Sequence, residues 1–159
     1  MPLFGVELLG VPGRAHYIYL FKSRIQSTME RPCFLVVDRE FPGSISTRKL
    51  VIETAKFNVI TAYDGAEALE CLKRFPKVDG VVVNADMEED GECRKLISDL
   101  RAIVPKLDVI VISTGGHIRH DRTEHTVDSL NPKELLDCLQ SLRKDATAEI
   151  LARESKMRE

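Results

Sequence analysis

Tryptophan is absent, and aromatic residues make up only 6% of the chain. Single-stranded nucleic acids stack their bases on aromatic side chains set among basic ones, and no stretch here interleaves the two. Nor is there a surplus of positive charge: 23 Lys and Arg stand against 25 Asp and Glu, for a net charge of -2. The chain therefore exerts no general pull on phosphate backbones, and nucleic acid is not an expected partner. Cysteine is scarce as well. The four, Cys33, Cys71, Cys93 and Cys138, lie far apart and form no C-x-x-C pair, which removes the usual disulfide frameworks and zinc spacings. Each sits among apolar neighbours and reads as a buried free thiol of a reducing compartment. No apolar run approaches the about 20 residues of a membrane span. The first 29 residues carry apolar patches (Leu3–Leu9, Tyr17–Phe21) broken by Gly10, Pro12, Gly13 and Arg14. They lack the early basic residues and unbroken apolar stretch of a secretory signal. The expected location is cytoplasmic, with no membrane partner.

What is present is regular. Hydrophobic residues make up 43% and charged residues 30% of 159 residues, the balance of one soluble globular domain. Phe34-Leu35-Val36-Val37 is a continuous apolar run that stops at Asp38-Arg39-Glu40. Asn58-Val59-Ile60-Thr61-Ala62, Gly80-Val81-Val82-Val83 and Val109-Ile110-Val111-Ile112 follow it. Short uninterrupted apolar runs suit strands buried on both faces of a parallel sheet. Helical spacing fills the intervals. Leu50, Val51 and Ala55 mark a first helix; Ala66, Leu69 and Leu72 a second, with Asp64 as its N-cap. Leu96, Ile97, Leu100 and Val104 mark a third, which Pro105 ends. His125-Thr126-Val127 has the length of a short fifth strand. Pro132 opens a last clear helix through Leu142, Pro being tolerated in a first turn. Strands alternating with amphipathic helices predict a five-stranded parallel sheet, doubly wound, with helices on both faces.

In such sheets, sites form beyond the carboxyl ends of the strands. That selects Asp38-Arg39, Asn84, Ser113 and Asp128, and these places carry a resemblance. Phe34-Leu35-Val36-Val37-Asp38 resembles the first strand of the CheY-like receiver domain of bacterial response regulators. Asp64-Gly65-Ala66-Glu67-Ala68-Leu69 resembles the D-G-x-x-A-L opening of its second helix. Asp79-Gly80-Val81-Val82-Val83 resembles the third strand, and Asp90-Gly91 the D-G that follows its loop. Val109-Ile110-Val111-Ile112-Ser113 resembles the fourth strand with its terminal Ser or Thr, and Pro132-Lys133-Glu134-Leu135-Leu136 the start of the last helix. The likeness runs from about Pro32 to Leu142. It implies a flavodoxin-like (βα)5 receiver fold acting in two-component, phosphorelay-type signalling, with a histidine kinase or a downstream effector as protein partner.

The departures from the family pattern are chemical. Where a receiver has the aspartate that accepts a phosphoryl group, counting along the third strand gives Asn84; counting back from Asp90-Gly91 gives Val83. Neither is an acid, and an amide nitrogen conjugated with its carbonyl is a very poor nucleophile. The second acid of the metal site is Arg39, a permanent cation where Mg²⁺ would sit. The lysine expected after the fifth strand is Asp128. These changes predict a pseudo-receiver with a degenerate pocket of Asp38, Arg39, Asn84, Ser113 and Asp128, no resident cofactor, and doubtful Mg²⁺ binding. Arg39 and Asp128 are expected to compensate each other across the pocket, and Ser113 to cap a local turn. The interval from Ser113 to Asp128 falls short of the family norm by about two helical turns, so the fourth helix is expected to be shortened or missing.

Residues 1–31 are expected to be an N-terminal extension, 32–145 the receiver-like domain, and 146–159 a charged tail or helix extension holding too little chain for a further core. The leading expectation is a non-enzymatic, stand-alone module that signals by protein association or self-association. One rival is a phosphorylatable receiver that uses a displaced acid, Asp86 or Asp38. Another, of a different class, is a metal-dependent enzyme built on His117, His120 and His125 beside Asp121 and Glu124; imidazoles so spaced can share a metal. Asp86, Glu88, Glu89 and Asp90 read as a solvated acidic loop. No glycine-rich phosphate cradle follows the first strand and no G-x-S-x-G elbow occurs, so neither a dinucleotide site nor a hydrolase triad has a starting point.

Overall fold

The computed structural model describes residues 31–38, 46–85, 90–114 and 125–159. Arg31–Glu159 forms one compact unit. Five strands, β1 (Cys33–Val37), β2 (Asn58–Ala62), β3 (Gly80–Asn84), β4 (Asp108–Ser113) and β5 (His125–Asp128), form one sheet in the order β2-β1-β3-β4-β5. Every pairing is parallel. Five helices are described: α1 (Thr47–Thr54), α2 (Gly65–Arg74), α3 (Asp90–Ile103), α4 (Pro132–Leu142) and α5 (Lys144–Arg158).

The continuous apolar strands have apolar layers on both faces because successive side chains point to opposite sides. Leu35, Val37, Val81, Val83, Val109 and Val111 pack under α2 and α3 with Ala68, Leu72, Ile97 and Leu100. Phe34, Val36, Val82, Ile110, Ile112 and Val127 pack under α1 and α4 with Val51, Ile52, Leu135 and Leu139. The chain runs from β1 outward to β2 and then back across to β3 and β4, so crossovers of a single hand must put α1 on one face and α2 and α3 on the other. Fully burying one such Leu or Ile contributes about 1.5–3 kcal/mol.

Local chemistry fixes the ends of the elements. Asp64 caps α2 by accepting the Glu67 N–H at 2.8 Å, while the Glu67 carboxylate accepts the Tyr63 N–H at 3.2 Å. At the end of α1, Lys56 takes a positive φ of 66°. Its N–H reaches the Glu53 carbonyl and the Phe57 N–H reaches that of Ile52, the paired closure that terminates helices with a left-handed residue. At the amino edge of the sheet no side chain fits at Gly80: a Cβ there would lie 2.8 Å from the Phe34 ring and 2.9 Å from the Asp108 carbonyl oxygen. Beside it, the Asp79 carboxylate accepts the Cys33 N–H at 2.7 Å and pairs with Arg143.

Two sequence expectations shift. In α1, Leu50 is exposed and Ile52 takes the core position; in α2, Ala68 is buried and Ala66 exposed. Spacing alone allows both phases, and the layer that each helix meets decides. The cysteines are free, but only Cys93 is buried; Cys33, Cys71 and Cys138 are half-buried. Residues 146–159 lie almost wholly in α5, with Ala146 buried and Ile150 packed on the core. Residues 1–30, and the segment 115–124 on which a shortened fourth helix was expected, lie outside the described residues. Among the described residues no helix is long and apolar enough to cross a membrane.

Candidate functional site at the carboxyl edge of the sheet

Strand order makes the site. β1 and β3 are neighbours although β2 lies between them in sequence, and Val37 stands opposite Val83. The next positions, Asp38 and Asn84, are therefore side by side at the carboxyl edge. This is where the winding reverses direction and a crevice opens. Both continue the face of Val36 and Val82, toward α1. Val83, the alternative from the loop count, is buried in the opposite layer.

Asp38 is 4% exposed, and a carboxylate so buried must find partners. The Asn84 Nδ2 donates to its Oδ1 at 3.2 Å. The Ser46 hydroxyl donates to its Oδ2 at 3.2 Å, and the Arg48 Nη1 stands 3.5 Å from the same oxygen. The backbone N–H of Asp38 donates to the Ala62 carbonyl at 3.0 Å, which carries the pairing with β2 past the strand end. Ser46 is also the N-cap of α1 and accepts the Lys49 N–H at 3.4 Å. One hydroxyl thus ties the strand end to the helix start.

Neither Ser46 nor Arg48 was selected from the sequence. Arg48 reads there as an ordinary helix-surface charge, and the signal it does carry is positional. It lies in the first turn of α1, which holds no acidic residue. The macrodipole makes that a poor place for a cation, unless an acid such as Asp38 lies opposite.

Ser113 and Asp128 stand on β4 and β5. By strand alternation Ser113 continues the face of Val109 and Val111, away from Asp38 and Asn84. It is fully buried, and its Oγ has no hydrogen-bond partner among the described residues. The expectation that it caps a turn is corrected: its carbonyl, not its hydroxyl, takes the Ser129 N–H, at 3.0 Å. Asp128 stands opposite Ser113 in the β4–β5 register. Its Oδ1 accepts the Leu130 N–H at 3.0 Å, folding the turn into α4, and its own N–H donates to the Glu134 carboxylate at 3.2 Å. Asp128 lines a small notch with Thr47, Arg48, Ile112 and Pro132. Arg39, its expected partner, lies outside the described residues. So do Asp86, His117 and His120; His125 begins β5 and is exposed.

Mg²⁺, which the resemblance implies, takes oxygen ligands at about 2.0–2.1 Å in a near-ideal octahedron, usually with one or two carboxylates. Among the described residues the site offers one carboxylate, already bonded by two donors and flanked by a guanidinium. That donor set does not fit the ion. Nor, among the described residues, do three or more His, Cys, Asp or Glu converge to hold any metal.

No protein-family model matches the chain. Over 89 residues it is 32% identical to the transcriptional regulatory protein GlrR of Escherichia coli K12, a match covering 55% of this chain and 19% of that protein. Over the same 89 residues, again at 32% identity, it matches the transcriptional regulatory protein QseF of Escherichia coli O157:H7. The matched stretch thus spans less than a fifth of these relatives' length. Among solved structures it is similar to a response regulator receiver protein of Sinorhizobium medicae (TM-score 0.59, 21% identity, 74% of this chain and 98% of that one). A response regulator of Thermotoga maritima gives a TM-score of 0.57 at 24% identity over 71% of this chain and 98% of that one. The chemotaxis protein CheY4 of Vibrio cholerae gives 0.58 at 20% identity over 71% and 99%. The fold of this chain is that of the response-regulator receiver.

Proposed function

We propose that this domain is a non-enzymatic receiver-type module of two-component signalling that works by binding a protein partner, without aspartyl phosphorylation. The fold and the named relatives support the signalling class. The observation that carries the finer reading is Asn84, an amide at the end of β3 whose Nδ2 donates to the buried Asp38 at 3.2 Å. A carboxylate there could attack phosphorus and an amide cannot. Asp38, the other candidate acceptor within the described pocket, is enclosed and has both oxygens engaged. Output then rests on shape and contact, with a histidine kinase, a downstream effector or a second copy of the chain as partner.

The test is incubation of the full chain with acetyl phosphate and Mg²⁺, read by intact mass. An unmodified mass is expected. A stoichiometric phosphoryl adduct sinks the proposal, and peptide mapping would then locate the acid that received it.

A further inference from the structure

Two neutral donors and one cation surround the buried Asp38 carboxylate. Asn84 and Ser46 satisfy the oxygens of Asp38 without neutralising them. Arg48 does, from 3.5 Å, with its side chain 23% exposed and that of Asp38 6% exposed. Arg48 also stands in a helical turn where a cation is disfavoured, so its place is explained by the acid it faces.

We infer that Arg48 is a tethered replacement for a divalent cation, holding the cation's place beside Asp38 and keeping Mg²⁺ out of the pocket. An Mg²⁺ bound to that carboxylate oxygen at about 2.1 Å would lie no more than about 5.6 Å from the Arg48 Nη1, which is 3.5 Å from the same oxygen. Like charges at that range in a partly buried site oppose each other strongly. The pocket is thereby set in one arrangement whatever the metal supply. This rests on reading the crevice as a receiver pocket, but it is tested by metal binding and not by phosphoryl transfer.

The experiment titrates Mn²⁺, a paramagnetic stand-in for Mg²⁺, into the full chain and follows the electron paramagnetic resonance of the free ion. Four proteins are compared: unaltered, Asn84→Asp, Arg48→Gln, and the double variant. The unaltered chain and Asn84→Asp are expected to leave the signal as it is in buffer up to millimolar Mn²⁺. The double variant, with two acids and no guanidinium, is expected to bind at least tenfold more tightly than Asn84→Asp. Equal affinity in those two overturns the inference, as does binding by the unaltered chain. If the Arg48→Gln proteins do not fold, Asn84→Asp decides alone: a melting temperature unmoved by millimolar Mg²⁺ supports the tethered cation, and one that rises overturns it. Mn²⁺ bound by the unaltered chain without a phosphoryl adduct sinks this inference only. An adduct on a chain that takes up no Mn²⁺ sinks only the proposed function.

Discussion

The two ends of the sheet use the same chemical parts to different effect. At the amino edge Asp79 accepts a backbone N–H from Cys33 and pairs with Arg143; at the carboxyl edge Asp38 accepts from Asn84 and Ser46 and pairs with Arg48. The difference is water. The side chains of Arg143 and Asp79 are 35% and 23% exposed, those of Arg48 and Asp38 23% and 6%. A solvated ion pair gains little beyond what its members already have from water. A buried carboxylate depends on its partners, and losing one strands charge. The amino edge is a clamp between β1, β3 and the end of α4, whereas the carboxyl edge is a site whose composition matters residue by residue.

The largest effect should come where the amino edge is tightest. Gly80→Ala would place a methyl against the Phe34 ring and the Asp108 carbonyl, and overpacking against backbone should cost about 3 kcal/mol, read as a shift in the urea midpoint. A midpoint unchanged from the parent would mean that this edge yields around the added methyl. The contrast itself is measured by two further variants. Arg48→Ala should cost about 2 kcal/mol, since Asp38 stays buried without its cation. Arg143→Ala should cost less than about 1 kcal/mol. Equal losses would break the comparison.

The smallest effect is one of pH. Burial, then the nearby charges of Asp108 and Glu134, push the Cys138 thiol up from 9.0 to about 11. The folded chain holds this proton longer than the unfolded one, so the contribution is intact below pH 9 and is lost as pH rises from about 9 through about 11. Alkylation of Cys138 by iodoacetamide should stay slow at pH 8 and quicken only toward the upper end of that window. Rapid modification at pH 8 would show that the thiol is not held in its neutral form.

Much of the architecture was readable because it rests on local periodicity. A run such as Phe34-Leu35-Val36-Val37 has few uses outside a strand covered on both sides, and Asp64 before Gly65-Ala66-Glu67 has few outside a helix start. The site was readable only in part. Asp38 and Asn84 could be named as strand-end residues, but their adjacency depends on β3 pairing with β1 across the crossover, a fact of topology that no spacing within either strand contains. The fate of Ser113 turned on which face of β4 it continues. Arg48 and Ser46 went unselected because a charge and a small polar residue at a helix start have many ordinary explanations. What singles them out is the distance from α1 to a strand end, which only the folded chain has.

Ser46 sits where a strand end and a helix start meet. Its single hydroxyl serves two masters, giving its proton to Asp38 while lending a lone pair to the first turn of α1. Removing that one hydroxyl would take a bond from the strand end and from the helix start together.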